Sequence, residues 1–271
     1  ALFSGAFGDL GGLATTLSYA TPLMLTGIAF GISVRAGLFN IGAEGQLYMG
    51  AIAATAVGGL ITLPPPLHIT AAILAAMLAG AIWALPASIL KITRGVHEVV
   101  STIMCNWIAF YLVMYLAVGP LADPNRAEKT VSVAQGARFS ILVQATELTS
   151  AIFVSLLFAV VIYLLLWHTR AGYELRAVGL NPDAARYAGM HQSRTIISAF
   201  VFSGLAAGLA GGTQVLGRPP TYALYGTLAN IVNLGFDGIA VALVGRNHPL
   251  GAIIASVFFA AMYSGGRFMQ M

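Results

Sequence analysis

Eight apolar runs, each near the ~20 residues that a transmembrane helix needs, divide the chain at about 10–34, 38–62, 67–90, 99–121, 148–167, 196–217, 226–245 and 249–266. The breaks between them carry turn chemistry. Residues 63–66, "LPPP", predict a tight turn, 91–98, "KITRGVHE", a short basic loop, and 246–249, "RNHP", a sharp reversal. Two runs are also interrupted from within. "GLFNIGAEGQLYMG" (37–50) carries Asn40, Glu44 and Gln46, and "LANIVNLGFDGIAVALVG" (228–245) carries Asn230, Asn233 and Asp237. A third polar group, His97, Glu98, Ser101, Thr102 and Asn106, opens the fourth run.

A charged side chain at the bilayer centre costs ~2.5 to 3.5 kcal/mol on insertion scales, so such groups face a pore, a cavity or a partner. Capping explains them as well. Asn40 can cap a helix whose first turn holds Glu44, and Asp237 can cap another, where a negative charge gains ~0.3 to 1 kcal/mol. The two readings are compatible, because a helix that restarts inside a membrane satisfies its open backbone groups only where it lines protein or water. Paired, glycine-punctuated interruptions in the two halves of a chain point to a transport site at a repeat interface. They correspond if one further span precedes Ala1 and another follows Met271. The expectation is then ten spans as two inverted halves of five, with the interruptions in the third and eighth. Asn40, Glu44, Gln46, Asn106, Asn233 and Asp237 are the candidates for cavity lining or gate support, some of them as caps alone.

Composition names the solvent. The chain is 58% apolar and 8% charged, with 13 basic and 9 acidic side chains and a mean hydropathy of +0.86, whereas soluble domains carry about a quarter charged residues. Lipid must cover most of its surface. The fold class expected is all-α, a polytopic transmembrane bundle forming one domain over 1–271. Residues 168–195 hold Arg170, Arg176, Arg186 and Arg194 against two acids, which assigns that loop to the cytoplasm. Alternation then puts 122–147 outside as a long mixed-charge loop that can meet a partner. Cys105 stands alone, so no internal disulfide forms.

Within 168–195, "GLNPDAARYAGM" carries helix punctuation: Asn181 as cap, Pro182 at the first position, Asp183 at the positive end, Gly189 at the stop. A helix of about two turns is marginal in water. It either docks against another protein or lies on lipid with Arg186 near the headgroups.

Little else points to bond chemistry. "HEVVS" (97–101) begins like a zinc-protease helix, but Ser101 stands where the second histidine belongs. Neither lysine lies in a phosphate-binding G-x-x-x-x-G-K-[ST] loop. No metal, cofactor, catalytic residue or nucleic-acid partner is expected, and any ATP that drives the protein is hydrolysed by another chain.

Four stretches carry a resemblance: "RAGLFNIGAEGQLYMGA" (35–51), "RGVHEVVSTIMCNWIA" (94–109), "RAVGLNPDAARYAGM" (176–190) and "GFDGIAVALVGRNHPLG" (235–251). In this order they resemble the signatures of membrane-spanning permease subunits of bacterial ABC importers, nearest the nucleoside and simple-sugar branch, with branched-chain amino acid permeases as more distant relatives. The resemblance implies alternating access across the inner membrane, a second permease subunit, two cytoplasmic ATPase subunits and an extracytoplasmic substrate-binding lipoprotein. It also implies that Asn181, Pro182, Asp183, Ala184, Ala185, Arg186, Tyr187, Ala188 and Gly189 form the coupling helix seated in an ATPase. His97 departs from the pattern, which has asparagine there. The competing classes are an ion-coupled secondary carrier and an intramembrane enzyme.

Overall fold

The computed structural model describes residues 2–269. Eleven α-helices occur among them: α1 Leu2–Phe7, α2 Leu10–Arg35, α3 Ala43–Leu60, α4 Pro65–Arg94, α5 Glu98–Val118, α6 Ala151–His168, α7 Arg170–Leu180, α8 Pro182–Tyr187, α9 Gln192–Leu216, α10 Leu234–Val244 and α11 Pro249–Phe268. Six are long and apolar enough to cross a membrane: α2, α4, α5, α6, α9 and α11. The count of eight differs at the two interrupted runs. The run at 38–62 becomes helical only from Ala43, and its helix carries Glu44 and Gln46 in its first turns. That at 226–245 is helical only over the 11 residues of α10. At 1.5 Å per residue α10 reaches about half of a ~30 Å hydrocarbon core.

Local chemistry sets the ends. Asp9 caps α2, its Oδ1 accepting the Gly12 N–H at 2.6 Å. Pro65 opens α4 directly after the "LPPP" turn. The basic break after α4 shrinks to residues 95–97, because α4 runs on to Arg94 and stops at Gly95 in the left-handed region. His97 Nδ1 accepts the Val99 N–H at 3.3 Å as cap of α5, the task a side-chain oxygen performs when asparagine stands there. His248 caps α11 in the same way, through Leu250 N–H at 3.2 Å. Burial and the nearby Arg35 charge hold its imidazole below its ordinary pKa. That favours the neutral ring, which keeps a lone pair for capping. His68 is buried, with Nε2 3.1 Å from the Val57 carbonyl oxygen.

The core is built on small residues. Helix α2 is buried over most of its length, and α9 packs into α3 and α4 through "SGLAAGLAGG". A Cβ on Gly208 would fall on the Ala76 carbonyl oxygen and 3.1 Å from Gly80 Cα, and one on Gly211 would strike Leu47. Helices that cannot gain from a hydrophobic effect in lipid associate through such close backbone approach. Gly208→Val is therefore expected to lower the melting temperature of the detergent-solubilised protein through overpacking of ~1 to 3 kcal/mol. An unchanged melting curve would show that α4 and α9 can move apart without cost.

The segment at 122–147 adds a small β element to the helical class. Strands β1 (Ala122–Asp123) and β2 (Arg126–Thr130) pair antiparallel, followed by a 3-10 turn at Gln135–Ala137. This segment lies against the irregular stretch before α10: Thr130 N–H bonds Leu224 O at 2.9 Å, Val133 N–H bonds Tyr222 O at 2.9 Å, and Gly226 N–H bonds Glu128 O at 2.8 Å. Backbone groups of the irregular stretch before α10 are thus paired by protein.

Candidate functional site

The two interrupted runs meet, and Glu44 joins them. Its side chain is 2% exposed. Oε1 accepts the Asn233 N–H at 2.6 Å and the Tyr48 hydroxyl at 2.5 Å, and Oε2 accepts the Gly235 N–H at 2.6 Å. Asn233 is the N-cap position of α10, holds a left-handed φ of 69° and makes no side-chain capping bond. Glu44 supplies that cap from another helix. Its charge sits at the positive end of α10 rather than only in the first turn of its own α3. Gly235 permits the approach, since a Cβ there would fall on the Glu44 backbone.

The start of α3 is held from its other side. Asn106 Oδ1 accepts the Gly45 N–H at 2.9 Å, while its Nδ2 donates to Ile41 O at 2.9 Å. Asn40 lies two residues before the N-cap position, which is Gly42. Its Oδ1 accepts the Gly42 N–H at 2.8 Å and its Nδ2 donates to Ser203 Oγ on α9 at 2.9 Å. Asn40 therefore ties the restart to α9 rather than capping α3 in the expected register. Gln46 is buried and its Oε1 has no partner. Asp237 lies in the first turn of α10 but caps nothing, because that helix starts at Leu234; it is exposed. At the start of α5, Glu98 pairs with Lys91 Nζ at 2.6 Å and accepts the Phe39 N–H at 3.2 Å, which fixes the turn leading into Asn40.

Beside Glu44 opens a cavity of about 250 Å³ lined by Glu44, Tyr48, Ile103, Asn106, Trp107, Phe110, Val232, Asn233 and Phe236. Three of the six candidates border it, and Asn40, Gln46 and Asp237 do not. Its aromatic side chains were hidden inside apolar runs. The signal that finds them is the spacing of Ile103, Asn106, Trp107 and Phe110, one stripe on α5. Tyr48 and Phe110 have ring centroids 5.9 Å apart, and Trp107 meets Phe110 edge-on at 6.1 Å. Buried polar groups of Glu44, Tyr48 and Asn106 beneath exposed aromatic faces of Trp107 and Phe236 are the chemistry of a small-molecule site. A larger hollow of about 580 Å³ lies between α1, α11 and residues 145–147, away from both interruptions.

The stretch 168–195 folds into α7, α8 and the first turn of α9. Asn181 Oδ1 accepts the N–H groups of Asp183 and Ala184 at 3.1 and 3.0 Å, and Pro182 takes the first helical position. Past the last turn Ala188 continues the chain to Gly189, which ends it at a φ of +82°. Ala185 is buried while Tyr187 is 95% exposed, so α8 offers Arg186 and Tyr187 outward from a small anchored face. Helix α7 seats its Gly179 on the α2–α3 turn, where a Cβ would strike the Arg35 carbonyl oxygen.

The comparisons with known proteins agree with one another. A guanosine ABC transporter permease protein, NupP, of Bacillus subtilis is 37% identical over all of this chain and 78% of its own length. NupB, a nucleoside ABC transporter permease protein of Lactococcus lactis, is 30% identical over 97% of this chain and 74% of its own. TsgB13, a glucose ABC transporter permease protein of Haloferax volcanii, is 32% identical over 96% of this chain and 70% of its own. No solved structure matches. The family match takes in residues 12–271, both interrupted helices included. The chain thus belongs to the family described as branched-chain amino acid transport system / permease component, and it is a transport subunit of ABC type rather than an enzyme.

Proposed function

We propose that this chain carries a nucleoside or a simple sugar inward across a bacterial inner membrane by alternating access, as the permease of an ATP-driven importer. The observation that carries the nucleoside reading is the cavity between the two interruptions, walled by Tyr48, Trp107, Phe110 and Phe236. Flat aromatic faces suit a planar base, as in base stacking on aromatic side chains, with the buried Asn106 and Tyr48 beneath them held in place by their bonds to the start of α3 and to Glu44. The names of the relatives, for guanosine, nucleosides and glucose, support the same solute range. The arginine bias of 168–195 supports placing α7 and α8 in the cytoplasm. There α8, over Pro182 to Tyr187 and on to Gly189, is the coupling helix that seats in an ATPase subunit. A second permease subunit, the ATPase pair and an extracytoplasmic binding lipoprotein complete the assembly. Ten spans in two inverted halves fit the facing pair of interrupted helices.

The test is uptake of labelled guanosine and glucose into proteoliposomes holding the assembled importer and its binding protein. ATP-dependent guanosine uptake is expected. In Trp107→Ala its KM rises about tenfold, the loss of ~1 to 3 kcal/mol of stacking. Uptake that follows an ion gradient without ATP would replace this reading with a secondary carrier. Guanosine uptake with a wild-type KM in Trp107→Ala would remove the cavity from the pathway.

A further inference from the structure

At the end of the bundle that carries Arg35, Arg176 and Arg246, two guanidinium groups lie over one indole. Arg35 sits 5.4 Å from the centroid of the Trp167 ring and Arg176 sits 5.5 Å from it. The indole is further packed by the His248 ring at 4.4 Å. Arg35 also donates from Nε to Asn247 O at 2.9 Å and from its terminal nitrogen to Arg246 O at 3.1 Å. These bonds hold the reversal in which Arg246 and Asn247 both adopt left-handed φ angles of 55° and 51°. None of the ion pairs among the described residues involves Arg35 or Arg176. The only carboxylate on α7, Glu174, is exposed and borders a separate hollow with Arg170 and Arg194.

Two cations that share a ring without a counter-ion repel one another, and the ring quadrupole offsets only ~0.5 to 2 kcal/mol each. Two buried polar atoms are left over at this place: Arg176 Nε, a donor, and Asn247 Oδ1, an acceptor, have no partner. Arg176 makes no side-chain hydrogen bond among the described residues, and a guanidinium fork is the group that binds a phosphate bidentately. Next to it, α6 presents Leu157, Val160, Val161 and Leu164 outward as lipid-facing surface, and Trp167 lies one turn beyond at the helix end. Basic clusters beside lipid-facing helices on the cytoplasmic side bind anionic head groups.

We propose that Arg176 and Arg35, braced by Trp167, form a binding site for an anionic phosphate group, supplied by a lipid of the inner leaflet. The assignment to that leaflet rests on the cytoplasmic placement of 168–195; the phosphate chemistry does not. Occupancy supplies the missing negative charge and pins α7 to the end of α2 and to the reversal before α11.

The experiment uses the assembled importer in detergent, titrated with phosphatidylglycerol, phosphatidylcholine or inorganic phosphate, and read by native mass spectrometry and thermal melting. Wild type is expected to retain phosphatidylglycerol about tenfold better than phosphatidylcholine. Arg176→Gln abolishes that preference while Arg194→Gln, with the same change in net charge, keeps it. Arg176→Lys, which keeps the charge and loses the fork, falls between and guards against a glutamine variant that does not assemble. Stabilisation by millimolar inorganic phosphate that Arg176→Gln removes supports the phosphate site with a soluble source instead. Equal lipid retention by wild type and Arg176→Gln overturns the proposal. So does loss of the ATPase subunits, and not of lipid, from Arg176→Gln, which would make this a protein contact.

Discussion

Glu44→Gln is expected to lower both the melting temperature and the uptake rate of the importer while leaving the KM of the surviving protein near wild type. The carboxylate engages two backbone N–H groups through different oxygens, Asn233 on one and Gly235 on the other. Glutamine has one oxygen, so its NH2 group must face an N–H. One buried donor then goes unpaired, at about 1 to 3 kcal/mol, and the favourable charge at the start of α10 is lost as well. Against a total stability of roughly 5 to 15 kcal/mol this is a large fraction. Melting followed with initial uptake rates at several substrate concentrations separates the roles. A tenfold rise in KM with an unchanged melting temperature would make Glu44 a substrate ligand instead of a cap.

The second large effect is expected from Gly179→Val, which should separate ATP hydrolysis from transport. At this residue α7 touches the turn after α2, and an added Cβ would meet the Arg35 carbonyl and approach Gly37 N to 2.8 Å. Those neighbours are backbone and cannot swing aside. Helix α7 must lift away, and α8, joined to it through Asn181, lifts with it. The turn under Gly179 leads through Phe39, which Glu98 holds, into Asn40 and the restart of α3. The outward face of α8, the proposed ATPase contact, is untouched, so ATPase subunits should still co-purify and hydrolyse ATP, while uptake falls by at least about tenfold, a loss of ~1.4 kcal/mol or more in coupling. Uptake and hydrolysis both near wild type would show that this contact transmits nothing.

Much of the bundle was legible because a membrane helix announces itself by length and apolarity, and α2, α4, α5, α6, α9 and α11 are of that kind. The interruptions were legible too, since polar residues among glycines have few uses at that depth. What the chain could not reveal was the partner of each polar group. Glu44 caps a helix nearly two hundred residues away, and the bond that fixes Asn40 reaches α9. Periodicity carries no information about such pairings. Asp237 was misread by register: α10 starts three residues earlier, so its carboxylate falls outside the capping position. Tyr48, Trp107 and Phe110 lie within apolar runs, where an aromatic wall is indistinguishable from lipid-facing length. Helix α7 was folded into a loop for the opposite reason, its amphipathic sequence being too polar to register as a span.

The three donors on Glu44 also decide how the cavity appears to an ion. A carboxylate in a membrane pathway ordinarily invites cations, but a carboxylate accepts about four hydrogen bonds and three of the positions on this one are filled from within. A sodium ion entering beside Trp107 would shed its water and find indole and phenyl faces in exchange. With ~2.3 kcal/mol available per charge for every 100 mV of membrane potential, a free acid on the proposed pathway would draw cations into it. On the proposed pathway, a carboxylate tied in this way to the start of α10 would offer an ion no free site, and an uncharged solute would pass without discharging the membrane.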